Sequence, residues 1–103
     1  MMLSLISTSK AQQKIAQNMR ALRLKKGLTQ GGLAERSGVN LATLRKFEQK
    51  GLISLESFLK LAMSLECLEK LVEATSSSED DYSSIDDVLK DRKHKKPQRG
   101  WRK

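Results

Sequence analysis

Thr29 to Glu48, TQGGLAERSGVNLATLRKFE, is the stretch that decides the fold of this chain. It places two short helices around a tight glycine turn, and each position asks for a residue type that the sequence supplies. Thr29 is suited to cap a helix starting at Gln30, because its hydroxyl accepts one of the orphan N–H groups of the first turn. Ala34 lies where the second of these helices crosses the first at close range, and a larger side chain there would push the two apart. Gly38 follows the last helical residue and takes at low cost the positive φ that ends a helix. Asn40 then caps the next helix, and Val39 before it is placed to pack on Leu44 as a hydrophobic staple. Leu44 and Phe47 are expected to face the core, which leaves Ala42, Arg45, Lys46 and Gln49 on one outward arc.

Such an arc, on a short helix held out from a small helical body, fits the major groove of duplex DNA. The bland alternative is a helical hairpin whose basic residues are a solvated face. Charge segregation favours the first reading. Residues 1–50 hold ten Lys/Arg against Glu35 and Glu48. Residues 51–91 hold Lys60, Lys70 and Lys90 against ten acids, and residues 92–103 hold seven bases and no acid. The first block and the tail suit a polyanion, whereas the middle block would be repelled by one.

Working outward, Ser9 and Gln12 form a capping box for a first helix over about residues 10–26. Ile15, Met19 and Leu22 recur on it at helical spacing, and Gly27 ends it. Gly51 closes the helix that follows Asn40. Leu52 and Ile53 are apolar in what should be a loop, covering the core edge or joining a subunit interface. Ser54 caps a fourth helix with Leu55, Phe58, Leu59, Ala62 and Leu65 as its buried stripe. Leu61 and Met63 widen that arc beyond what one partner needs, and Leu68, Leu71 and Val72 continue on a short fifth helix. Surplus apolar surface in so small a chain points to a second copy of itself. A two-fold pair would set two recognition helices ~34 Å apart and imply a palindromic operator.

From Thr75 the sequence turns polar and acidic, SSSEDDYSS, and reads as a linker. Ser84 and Asp87 are placed to cap a short segment carrying Ile85, Val88 and Leu89, which either packs back or orders on a partner. The basic end DRKHKKPQRGWRK reads as flexible when free; it would serve DNA, a protein or both. Trp101 within it is either an aromatic anchor or neutral. One His and one Cys in separate regions support no nucleophile and base, metal site or cofactor site, so an enzyme is not expected. Cys67 reads as a small apolar filler in a reducing interior. MMLSLIS is too short for a spanning or signal segment, so a soluble, cytoplasmic, nucleoid-associated protein is expected.

MRALRLKKGLTQ, then LAERSGVNLATLRKFE, then SLESFLKLAMSL together resemble the phage repressor/Cro (XRE) class of helix-turn-helix proteins over about residues 12–74. The resemblance implies an all-α, five-helix, lambda-repressor-like DNA-binding domain over residues 9–74, with an N-terminal arm (1–8) and a flexible C-terminal tail (75–103). It implies that Gln30 touches a phosphate while bracing the recognition helix, and that Leu41, Ala42, Arg45 and Lys46 occupy base-reading positions. Asn40, Thr43 and Gln49 complete the candidate DNA-binding set. Arg23 and Glu48 match a pair that in this family forms a buried salt bridge, and Ala34, Gly38 and Leu44 are the other structural positions. Gly31-Gly32 depart from the family, which usually carries helix-forming acidic residues there; each Gly costs ~1 kcal/mol against Ala, so fraying at that helix start is expected.

The size of the domain and its polar tail also resemble the HipB-type antitoxins. That implies a repressor that autoregulates its own operon and holds a HipA-like serine/threonine kinase toxin, sometimes with an additional small operon-encoded protein. The alternative is a stand-alone dimeric regulator of phage type without a toxin.

Overall fold

The computed structural model describes residues 6–77. The chain divides into two units, Met1–Leu68 and Glu69–Lys103. Among the described residues there are five helices and no strand: α1 (Thr8–Lys25), α2 (Gln30–Ser37), α3 (Leu41–Lys50), α4 (Leu55–Ser64) and α5 (Leu68–Ala74). The all-α expectation holds. The acidic linker beyond residue 77, the Ser84–Leu89 segment and the basic tail with Trp101 lie outside the described residues.

Side-chain caps start each of the first four helices where the sequence offers a hydroxyl or amide, one of them earlier than expected. Ser7, not Ser9, caps α1: its Oγ accepts from the Lys10 N–H at 3.1 Å. Two serines compete here for one role, and the cap at Ser7 adds helix at the N-terminus, so Ser9 and Gln12 become ordinary helical residues. Thr29 Oγ1 accepts from Gly32 N–H at 2.9 Å, and Ser54 Oγ from Ser57 N–H at 3.1 Å. Helix α2 runs from Gln30 with both Gly31 and Gly32 inside it.

The core of the first unit is Ala16, Met19, Leu33, Val39, Leu44, Phe47, Leu61, Ala62 and Leu65. Phe47 and Phe58 meet edge to face, their ring centroids 5.8 Å apart. Helix α3 packs on α1 and α2, and α4 packs on α2. Two expected core positions are corrected. Ile15 is 43% exposed while Ala16 and Arg23 turn inward, and Leu55 is 70% exposed while Leu61 is buried.

Gly51 ends α3 at φ +75° and is itself buried. A Cβ there would lie 2.9 Å from the backbone carbonyl carbon and oxygen of Gln12 on α1. The end of α3 thus rests on the α1 main chain, an approach only glycine allows. After α4 the chain turns through Glu66, a non-glycine residue at φ +65°, whose carboxylate meets Lys26 Nζ at 3.0 Å. Cys67 lies next, its sulfur 3.9 Å from that of Met19. On another side of this unit a shallow apolar groove of about 220 Å³ is lined by Gln12, Ile15, Phe47, Gly51, Ile53, Leu55 and Phe58.

Candidate nucleic-acid interface

The turn between α2 and α3 is built from backbone geometry and small polar side chains. Gly38 stands at φ +76° and donates its N–H to the Ala34 carbonyl at 2.9 Å. Ala34 is half-buried at this point. Ser37 Oγ accepts from Val39 N–H at 3.1 Å, which guides the chain out of the turn. Asn40 Oδ1 then accepts from Ala42 N–H at 2.7 Å and more loosely from Thr43 N–H at 3.4 Å. Two of the four orphan N–H groups at the start of α3 are thereby occupied from within.

Helix α3 turns Leu44 and Phe47 into the core and exposes Ala42, Arg45, Lys46 and Gln49. Leu41 and Thr43 are half-buried at the rim. Among the described residues none covers the outward arc, and neither Arg45 nor Lys46 makes an ion pair with another of them.

A polar clamp beneath this arc fixes the helix. Arg23 on α1 donates through Nε to Glu48 Oε2 at 2.7 Å and through Nη2 to Oε1 at 3.0 Å. Its Nη1 donates to the Leu28 carbonyl at 2.8 Å. Gln30 Nε2 donates to Glu48 Oε1 at 3.0 Å, so one carboxylate ties α1 and α2 to α3. The Arg23 and Glu48 side chains are only 6% and 5% exposed, and no buried side-chain nitrogen or oxygen among the described residues lacks a partner. Burial pushes the Glu48 carboxyl up. The hydrogen bonds from Arg23 and Gln30, with the charges of Arg23 and then Arg20, outweigh that and hold it below its ordinary range.

The structure brings Arg23, Gln30 and Glu48 together and sets Ala42, Arg45, Lys46 and Gln49 in solvent above them. Asn40 is exposed, with its side-chain oxygen engaged in the cap. Sequence reasoning did not single out two contributors. The Leu28 carbonyl carries no sequence signal as an acceptor. The main-chain contact at Gly51 required knowledge of how α1 and α3 cross. Arg20, read from the sequence with Lys14, Lys25 and Lys26 as part of the basic outer side of α1, is exposed there.

No helix among the described residues is long and apolar enough to cross a membrane, and no group of His, Cys, Asp or Glu among them could hold a metal ion. No curated protein matches the chain significantly. A helix-turn-helix family model matches residues 19–74, more than half of the chain, and takes in the clamp, the turn and the whole of α3. On that match and this geometry, the chain belongs to the XRE-type helix-turn-helix family of DNA-binding transcription regulators.

Proposed function

We propose that this protein is a sequence-specific repressor that binds a palindromic operator as a homodimer. The observation that carries the reading is the pairing of an uncovered arc, Ala42, Arg45, Lys46 and Gln49, with a buried clamp that fixes its helix. Arg45 and Lys46 are suited to guanine edges or phosphates, and Leu41 and Ala42 to thymine methyl groups. Gln30 positions the protein on a phosphate while bracing Glu48. Dimerisation is supported by apolar surface outside the core: Leu55 is exposed and lines the Ile15–Phe58 groove, and Leu52 and Met63 are exposed as well. Selection of binding sites from random duplexes tests the whole reading. Recovered sites should share two inverted half-sites about one helical turn apart, and recovery of no common sequence would refute it.

Within that reading, the protein acts as the antitoxin of a type II toxin-antitoxin pair, repressing its own operon and holding a HipA-like kinase toxin. Support comes from the resemblance of SLESFLKLAMSLECLEKLVEAT, with the acidic linker and basic tail, to the HipB-type group. The reading frame beside the gene discriminates. A kinase-like neighbour should co-purify with this chain, and removing residues 76–103 should weaken the complex. A neighbour of another kind would favour the stand-alone regulator.

A further inference from the structure

Gly31 is a glycine whose place the fold does not explain. Gly27, Gly38 and Gly51 each stand at positive φ, whereas Gly31 and Gly32 lie inside the first turn of α2 without one. Among the described residues a Cβ at Gly31 would meet only Thr29 Oγ1, at 3.9 Å, so alanine fits there; at Gly32 the same oxygen would lie at a tighter 3.2 Å.

The starts of α2 and α3 are otherwise matched. Each opens on a side-chain cap, and the fourth residue of each is a leucine 1% exposed. That leucine donates its N–H to the carbonyl of the capping residue, Leu33 to Thr29 at 2.9 Å and Leu44 to Asn40 at 3.0 Å. Between cap and leucine, α3 has Leu41-Ala42-Thr43 and α2 has Gln30-Gly31-Gly32, with no acid in that turn. Two glycines in one turn favour its opening by roughly 5- to 30-fold over alanine, and a helix of eight residues has little stability of its own.

Both ends of the turn are anchored. Leu28 before it exchanges hydrogen bonds with Arg23, its N–H donating to the Arg23 carbonyl at 3.1 Å and its carbonyl accepting from Nη1 at 2.8 Å. Leu33 after it is in the core. Between these anchors the Thr29 cap holds the turn to itself, and Gln30 Nε2 ties it to Glu48 of α3 at 3.0 Å.

We infer that Thr29–Gly32 is a latched turn: the paired glycines let it open locally between its two anchors, and the Gln30–Glu48 hydrogen bond closes it. Its consequence for DNA rests on the DNA-binding reading. The closed turn is the form that sets Gln30 beside α3, so a bound duplex selects that form.

Amide hydrogen exchange of the full chain, followed by NMR, tests the latch in wild type, Gly31→Ala, Gln30→Ala and the double variant. Leu44 is the internal reference for Leu33, because global unfolding exposes both alike. Relative to Leu44, Gln30→Ala should speed exchange at Leu33 about five-fold and Gly31→Ala should slow it about five-fold. The double variant should return it near the wild-type rate. Parallel changes at the two leucines in every variant, or an unchanged Leu33 in Gly31→Ala, overturn the inference. Adding a duplex selected by the wild type should slow Leu33 more than Leu44, and equal slowing refutes the coupling to DNA. A wild type that binds no duplex refutes the DNA-binding reading, while the exchange rates of the free protein still decide the latch.

Discussion

At the scale of single residues, two positions show how surroundings set the cost of a change. Gly27 and Gly51 have nearly the same backbone angle, φ +74° and +75°, yet a Cβ at Gly27 meets nothing within 4 Å and one at Gly51 meets the Gln12 backbone at 2.9 Å. Gly27→Ala is therefore expected to cost about 1 kcal/mol, the left-handed penalty alone. Gly51→Ala adds overpacking against main chain that cannot move aside and should cost about 2 to 4 kcal/mol. Thermal melting of the two variants checks the difference, and equal losses would mean that α1 and α3 are not in main-chain contact. Glu48 gives a prediction in pH. Its carboxyl is held below the ordinary range when folded. The stability it contributes is thus complete above the unfolded value, ~4.3, and fades as pH falls through the lower folded value. Glu48→Gln should flatten the acid limb of the stability profile and cost about 3 kcal/mol at neutral pH, because Arg23 is left buried without an anion. Denaturant melts from pH 7 down to pH 2 measure both effects.

Among the helices, division of labour gives the sharper test. Lys46, on the outward arc of α3, makes no hydrogen bond or ion pair among the described residues, whereas Gln30 at the start of α2 is bonded to Glu48. Lys46→Ala should cost about 1 to 3 kcal/mol on the selected site and relax base preference there, if it meets a base edge. Gln30→Ala should weaken selected and random DNA alike. Equal losses on both duplexes for both variants would refute this assignment of roles. The helices also show what the sequence makes legible. Thr29, Gly38 and Asn40 act through local geometry, and each stands where its own chemistry puts it. The buried stripes of α1 and α4 were placed less well. On α1 the inward face includes Arg23, which hydropathy assigns to solvent, and this shifts the expected stripe toward Ile15. Between Leu52 and Leu65 apolar residues occur on nearly every side of α4, so the packing of α2, not periodicity, chooses Leu61 over Leu55. For the interface, the identity of the outward arc was legible from helical spacing, but the approach of Gly51 to the Gln12 backbone depends on how α1 and α3 cross.

At the scale of the whole molecule, unpaired charge and exposed apolar surface occur together among the described residues of one unit. The unneutralised cations of α1 and α3 and the open hydrophobics Leu55 and Met63 of α4 belong to the same 68-residue unit. If the apolar side is a self-association surface, Leu55→Glu should yield a monomer in sedimentation analysis and bind a single half-site about as well as the wild type does. Its binding to the full palindrome should fall steeply, since linkage between half-sites is lost. A wild type that sediments as a monomer at micromolar concentration would exclude that role for Leu55.

The seat of α3 on the main chain of α1 bears on how such a protein would discriminate among sequences it scarcely touches. Backbone meeting backbone, with an ion pair and an amide hydrogen bond on one carboxylate joining three helices, is a stiff mounting: the probe cannot swivel to suit an imperfect groove. Misfit must then be absorbed by the nucleic acid, whose compliance varies with base step. Flexible pyrimidine–purine steps would be tolerated where rigid tracts are refused, and selectivity would extend to base pairs that no side chain reaches.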